Sequence, residues 1–306
     1  MATRHTYATT DDLREYLAGT SYSSGWTSDS GSIKRILEAQ SKRIDAYCRG
    51  GTFGPVTQTR HYDIGRGNLR FSPQYSIYGT PASSAGLQEK LLSVVPLDNW
   101  IVNTTTVTAY GATDRATSTV LTEGYNADFW LMPYNFNPKT VLSLNEDTTD
   151  SLDVGQQTLS ILGQWGYTAD TLSVTTSDAI SSTTATSVSV TSASNLSSAQ
   201  SILIDSEQLY ITSISGNTLT VERGVNGTTA ATHSGGATVY RYDYPELVSQ
   251  ACLDLSKLVY RDRDAGSVDI VGSSDLQMSR GSAELKSVLS TLDVFKVAST
   301  SNGVIF

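Results

Sequence analysis

Residues 201–241 read SILIDSEQLYITSISGNTLTVERGVNGTTAATHSGGATVYR. Ser201–Ile204, Gln208–Ile214 and Thr218–Val221 read as short strands bounded by turn residues. Ser215-Gly216-Asn217 between the last two runs has the composition of a hairpin turn. A Gly-rich loop, Arg223-Gly224-Val225-Asn226-Gly227-Thr228-Thr229, follows, and Thr238–Arg241 closes the set. Upstream, 17 of the 30 residues in 171–200 are Ser or Thr. A flexible linker has that composition, but the alternation in Thr186-Ser187-Val188-Ser189-Val190-Thr191 favours a strand edge. Residues 170–241 thus read as a β-module of about 70 residues, the size of a small domain.

Helical patterns flank this module at both ends of the chain. Thr10-Asp11-Asp12 supplies a cap and two acids that suit a helix dipole. Leu13, Tyr16 and Leu17 follow at helical spacing, and Gly19 stops the run. After a second cap at Ser32, Ile33, Ile36, Leu37, Ile44 and Tyr47 form one apolar stripe opposite Lys34, Arg35, Lys42 and Arg43. Beyond the module, Tyr244-Pro245-Glu246 opens a helix in which Leu247, Val248, Ala251, Cys252, Leu255, Leu258 and Val259 are apolar. That stripe is too wide for a lone surface helix, so it marks a bundle centre or an oligomer interface, with Leu247, Cys252, Leu255, Leu258 and Val259 as its contacts. A last helix from Ser282 carries Leu285, Val288, Leu289 and Leu292 on one face. Between the helical ends, residues 53–168 break into short alternating runs, among them Leu91–Val95, Val107–Tyr110, Val141–Leu144 and Thr158–Leu162, separated by turn residues.

Charge is placed unevenly. Residues 1–120 hold 12 Lys/Arg against 10 Asp/Glu, residues 121–240 hold only Lys139 and Arg223 against 11 acids, and residues 241–306 hold 7 against 9. The formal net charge of −9 argues against broad binding to nucleic acid or anionic membranes. No run approaches the ~20 apolar residues of a membrane span. The opening MATRHTYATTDDL lacks an apolar signal core. Two cysteines inside helical patterns, Cys48 and Cys252, suit a reducing compartment and a chain without a disulfide framework.

A search for catalytic constellations returns little. His5, His61 and His233 do not stand at metal-ligand spacing to another His or Cys. No G-x-S-x-G, P-loop or H-E-x-x-H motif occurs. Gly65-Arg66-Gly67 and Gly224-Val225-Asn226-Gly227 do not open helices, as a phosphate cradle would, and read as turns. Glu146-Asp147 with Asp150, or Asp205 with Glu207, could be offered as an acid pair, but solvated acids at turn ends are the plainer reading. Trp100, Trp130 and Trp165 suit core packing better than sugar stacking. The sequence therefore points to a non-enzymatic protein with no catalytic residue, cofactor or metal.

The order of elements is what carries a resemblance. TTDDLREYLA is followed by IKRILEAQSKRIDAYCRGGTFGP, then LLSVVPLDNW, then LSILGQWGYT, then YPELVSQACLDLSKLVYRDRD. This succession, over residues 8–55, 88–168 and 243–292, resembles the head–tail connector (adaptor) family of tailed bacteriophages, with Gly163-Gln164-Trp165-Gly166-Tyr167 the most characteristic match. Residues 170–241 interrupt the pattern and look like small β-modules that decorate phage tail and baseplate proteins. The resemblance implies an α+β fold, with a helical connector core of about four helices, a β-rich segment and an inserted small all-β domain. The corresponding domains are 1–169, 170–241 and 242–306, with the inserted module projecting outward from the core.

The same resemblance implies a structural virion protein at the neck, assembled in the host cytoplasm. It would form a homo-oligomeric ring of about twelve copies that joins the portal protein to a tail, stopper or nozzle protein. DNA passes through such a ring without specific binding, and no membrane is involved. A C-terminal docking tail would grip the portal through Phe295, Val297, Val304, Ile305 and Phe306. The alternative is a tail- or fibre-associated binding module that engages a host surface or a neighbouring virion protein through the β-domain.

Overall fold

The computed structural model describes residues 4–18, 30–48, 51–64, 94–111, 116–124, 126–135, 137–145, 152–153, 155–167, 170–264 and 283–296. They fall into two compact units, one built from Met1–Val56 and Thr168–Lys296, the other from Thr57–Tyr167. Of the described residues, 40% are in strands and 25% in helices. This overturns the expected helical connector core. Two six-stranded antiparallel sheets make up most of the structure. The reason lies in pairing that short sequence runs conceal. Val94–Tyr110 is a single strand of 17 residues, long enough to pair with three others along its length.

In the first unit, helix α1 (Thr10–Leu17) starts on a capping box one residue earlier than the sequence suggested. The Thr9 hydroxyl accepts from Asp12 N, and the Asp12 carboxylate accepts from Thr9 N, satisfying two groups that a helix N-terminus otherwise leaves open. Helix α2 (Ser30–Tyr47) buries Ile33, Leu37 and Ile44, the stripe read from spacing. Helix α3 (Glu246–Asp264) packs on α2 and α1. Helix α4 (283–290) leads into a 3-10 turn at Asp293–Phe295.

The sheet of this unit runs β7 (Asp170–Thr175), β12 (Thr238–Tyr242), β9 (Ser201–Ile204), β10 (Glu207–Ser215), β11 (Thr218–Glu222), β8 (Ser187–Ser189). Its two edge strands meet where Thr176 bridges Val190 and Thr191 N bonds Thr175 O, so the sheet curls toward closure. Inside lie Ile202, Ile204, Leu209, Ile211, Leu219, Val221 and Val239, with Val188 and Val190. The hairpin at Ser215–Thr218 is formed as read, with Gly216 at φ 58°, a conformation that favours glycine.

The module does not project away from the helices. Arg4 N donates to Asn226 Oδ1 at 2.6 Å, Gln208 Nε2 donates to Pro55 O at 2.9 Å, and Tyr210 Oη donates to Glu38 Oε1 at 2.6 Å. Thr6 Oγ1 donates to Ala199 O. The N-terminal segment thereby lies along the barrel-like sheet before the chain enters α1.

The second unit is the sheet β1 (Val56–Ile64), β6 (Gly155–Trp165), β2 (Val94–Tyr110), β5 (Lys139–Leu144), β4 (Phe129–Met132), with β3 (Ser118–Leu121) also on β2. Its core includes Ile101, Val107, Leu142, Leu144, Leu159, Ile161 and Trp165. The Trp165 indole donates to Gln58 O at 3.0 Å and lies under the Arg60 guanidinium at 4.8 Å. Gly163 has a steric reason: a Cβ there would sit 2.4 Å from Asn103 O on the paired strand. Trp100 and Trp165 are buried, as packing required, while Trp130 is half-buried and stacks on exposed Tyr134.

Two measurements test this packing. Leu255 is fully buried and Leu258 only half-buried. Leu255→Asp is expected to lower unfolding free energy by about 3 kcal/mol or more, and Leu258→Asp by less than half of that, in urea titrations. Equal losses would contradict the burial. Asp45, which accepts a hydrogen bond from Tyr7 Oη, has its carboxyl pushed up to about 7 by burial against the Tyr7 bond and Lys42. A raised folded-state value gives stability that is present in acid and lost as pH rises through about 7. Asp45→Asn is therefore expected to be more stable than wild type at pH 8.5, by about 1 kcal/mol or more, and close to it only below the ordinary carboxylate range, at about pH 3.5. Thermal melts at the two pH values read the difference.

Candidate functional site

Among the described residues, the densest polar cluster sits in the curled sheet, at residues far apart in sequence. Glu207 opens β10 directly after a tight turn at Asp205 (φ 53°). Arg223 follows the end of β11 and begins the Gly-rich loop. His233 ends that loop and bridges Ile180 through paired backbone hydrogen bonds. The side chains of Glu207 and His233 are 0% and 1% exposed, and that of Arg223 6%. The reading of Glu207 as a solvated acid at a turn end is corrected here, whereas its neighbour Asp205 is 62% exposed.

A buried carboxylate is costly unless its oxygens are fully hydrogen-bonded. Glu207 meets that condition. Oε1 accepts from Arg223 Nε at 2.7 Å and Gly224 N at 3.0 Å. Oε2 accepts from Arg223 Nη2 at 2.7 Å and Ala231 N at 2.9 Å, and His233 Nε2 lies 2.8 Å away. Arg223 is equally committed: Nη1 donates to the carbonyls of Ser182 and Ala185 at 3.1 and 3.0 Å, and Nη2 also to Ala231 O at 2.5 Å. All five guanidinium N–H groups are thus in use. The His233 ring completes the chain, its Nδ1 2.7 Å from Asp205 Oδ2.

This geometry resembles a catalytic relay but is arranged as a clasp. Each Glu207 oxygen already holds two or three donors, so the carboxylate takes no substrate proton without releasing the loop. The two imidazole nitrogens face two different carboxylates, so Asp205 and Glu207 stand on opposite sides of the ring and do not converge on one point. No group of His, Cys, Asp and Glu among the described residues could hold a metal ion. The Gly224 and Ala231 N–H groups, which an anion cradle would aim outward, point at Glu207. Gly224, Asn226 and Gly227 all take positive φ, which lets the loop fold around the carboxylate.

Burial drives His5, Cys48 and Cys252 toward their neutral forms. Burial pushes the His5 imidazole down to about 4, and its Nε2 lies 3.0 Å from Pro55 O. Burial pushes the Cys252 and Cys48 thiols up to about 11 and about 12, which makes them inert, structural thiols.

Of the residues read as an interface, Cys252 and Leu255 are buried within α3, Leu258 and Val259 are half-buried, and Leu247 is 49% exposed. Cys252 Sγ lies 3.5 Å from Ser41 Oγ of α2. Phe295 is buried edge-to-face against Phe53, at 5.2 Å. Val297, Val304, Ile305 and Phe306 lie outside the described residues, as do Glu146, Asp147 and Asp150. The Glu207–Arg223–His233 cluster was not found by spacing, because its members are strangers in sequence. One signal did exist: Arg223 is the only Lys or Arg between residues 140 and 240, and it sits beside a Gly-rich loop.

Burial alone would push the Glu207 carboxyl up, but hydrogen bonds from Arg223, Ala231, His233 and Gly224 outweigh it and hold the group below the usual range. A depressed folded-state value gives stability that is full above the ordinary carboxylate range and lost as pH falls through the folded value. Glu207→Gln leaves Arg223 buried without its counter-charge, for an expected loss of about 3–5 kcal/mol at pH 7. The loss should shrink in acid, where wild type also gives up the carboxylate. A variant as stable as wild type at pH 7 in urea titration would show that the pair is not structural. Comparison with protein-family models, with curated proteins and with solved structures finds no match to this chain.

Proposed function

We propose that the chain is a structural virion protein, a head–tail adaptor that assembles into a ring, joins the portal to a tail-side protein and lets DNA pass. The reading rests on the resemblance of three sequence blocks to connector proteins. One structural observation supports it. Apolar surface remains open on the C-terminal helices: Leu247 is 49% and Val294 72% exposed, and Leu258, Val259, Leu285, Val288 and Leu289 are only half-buried. Neighbouring copies in a ring bury such surface, which a monomer leaves to water.

The densest polar site favours the same class of function. Its groups are locked into one another, which gives a stiff module rather than a reactive one. The alternative is a tail- or fibre-associated module that engages a host surface or a neighbouring virion protein through the β-domain, and its glycan-binding form draws no support from the module's aromatics, since Tyr210 is fully buried and Tyr240 half-buried. No helix among the described residues is long and apolar enough to cross a membrane.

With Phe295 packed on Phe53, the portal-gripping arm of this proposal narrows to Val297–Phe306. Sedimentation of the purified protein, alone and with portal, is expected to give a ring on the order of several hundred kilodaltons in at least one of the two. Deleting residues 299–306 should leave the melting temperature unchanged and abolish co-sedimentation with portal. A chain that stays at 32.8 kDa under both conditions would overturn the adaptor reading. A truncated chain that binds portal as well as the full one would move the contact to the helices.

A further inference from the structure

The Gly-rich loop carries a reactive pair beside the clasp. Asn226-Gly227 is one of two Asn-Gly pairs in the chain, the other being Asn302-Gly303, outside the described residues. Asn-Gly is the dipeptide most prone to spontaneous deamidation, because glycine has no side chain to shield its main-chain nitrogen. That nitrogen attacks Cγ of the asparagine and a new C–N bond forms. Nδ2 leaves as ammonia, taking up the proton of the attacking amide. Water then opens the resulting succinimide at one of its two carbonyls. Opening at Cγ gives aspartate, and opening at the main-chain carbonyl gives isoaspartate, whose backbone runs through Cγ. Water is the only co-reactant.

In the folded chain this side chain is engaged at both ends. Asn226 Oδ1 accepts from Arg4 N at 2.6 Å, and Nδ2 donates to Gln208 Oε1 at 2.8 Å and to Arg4 O at 3.4 Å. Asn226 is 1% exposed, and Ser201 Oγ also donates to Arg4 O, so both main-chain groups of Arg4 are held in the same seat. Cyclisation strips Nδ2 from its acceptors, and the hydrolysis needs water that the buried seat excludes. The reaction therefore runs through the open state, at a rate that follows how often the N-terminal segment leaves. The product does not fit the seat again. Aspartate puts a buried carboxylate oxygen where Nδ2 donated, against Gln208 Oε1 and Arg4 O. Isoaspartate adds a main-chain carbon inside the turn that Thr228 N closes on Val225 O at 3.1 Å. We propose that Asn226-Gly227 is a deamidation site which the seated N-terminal segment protects, and whose reaction unseats that segment irreversibly. The assignment does not depend on the adaptor reading.

Peptide mass spectrometry of the full chain, stored in mildly alkaline buffer with and without concentrated urea, tests it. In urea both Asn-Gly pairs should deamidate at comparable rates. In the folded chain Asn226 is expected to react about 10-fold more slowly than in urea, or slower still. Arg4→Pro removes the N–H that Oδ1 accepts and should raise the folded rate about 10-fold or more, with the circular dichroism of wild type retained. Ser201→Ala removes one bond to Arg4 O and should raise it by less. If Arg4→Pro loses its fold, Ser201→Ala carries the comparison alone. Asn226→Asp, which mimics one product, should speed amide hydrogen exchange over residues 5–9 about 10-fold or more. The proposal is overturned if Asn226 reacts as fast folded as in urea, if the folded variants react at the wild-type rate, or if Asn226→Asp leaves that exchange unchanged. These outcomes leave the ring and portal measurements untouched, so either proposal can fail alone.

Discussion

A single buried carboxylate sets the shape of the curled sheet. Ionised, Glu207 is not tolerated in a dry interior without several donors, and no one strand supplies them. The loop after β11 does, with the Arg223 side chain, two backbone N–H groups and the His233 ring. Holding the loop in this form places Asn226 where its Nδ2 donates to Gln208 Oε1 at 2.8 Å and its Oδ1 receives Arg4 N. Gln208 in turn donates to Pro55 O, the same carbonyl that His5 Nε2 approaches. One charge, once neutralised by geometry, thereby fixes the seat of the N-terminal segment. Buried ion pairs contribute little to net stability on average, but removing one partner is costly, and that asymmetry gives them their power to specify a structure.

The helices handle polar burial in the opposite way. His5, Tyr7, Asp45 and Tyr244 are packed near one another, and burial drives each toward its uncharged form. Tyr7 Oη accepts from Phe53 N while donating to Asp45, and its ring meets Phe53 and Tyr244 edge-to-face. These are neutral hydrogen bonds within an aromatic cluster, so the region responds to alkali through Asp45, whereas the sheet responds to acid through Glu207. The first unit is thus most stable where Asp45 is still protonated and Glu207 already ionised.

What the sequence revealed follows from the range over which each constraint acts. The stripe of α2, the capped start of α1 and the Gly216 hairpin are local, and all were readable from spacing within a few turns or residues. The balance of helix and sheet was not. Val94–Tyr110 contains Pro96, Asp98 and Asn99, which interrupt alternation, and its register shifts against both β5 and β6. Such irregularities hide one long strand as several short runs. The candidate clasp was hidden differently. Glu207, Arg223 and His233 are each unremarkable in their own sequence neighbourhood, and only pairing β9 with β12 and β10 with β11 brings them together.

The placement of the module also bears on why its composition is so poor in Lys. An acidic Ser/Thr-rich surface suits a sheet whose exposed positions need only solvation, and where a base is required it must reach inward. Arg223 does so with a planar fork that satisfies one carboxylate and three carbonyls at once, which a lysine ammonium with three N–H groups does not. Arg223 is therefore the base least replaceable in the module. The N-terminal segment and α2 contribute from outside: Arg4 and Lys34 lie over the ring of Tyr210, and Arg4 also pairs with Glu38 of α2 and Glu222 of the module. Bases from the near-neutral N-terminal part thus meet an acid and an aromatic of the module, and the uneven charge along the chain becomes attraction between segments that fold as one unit.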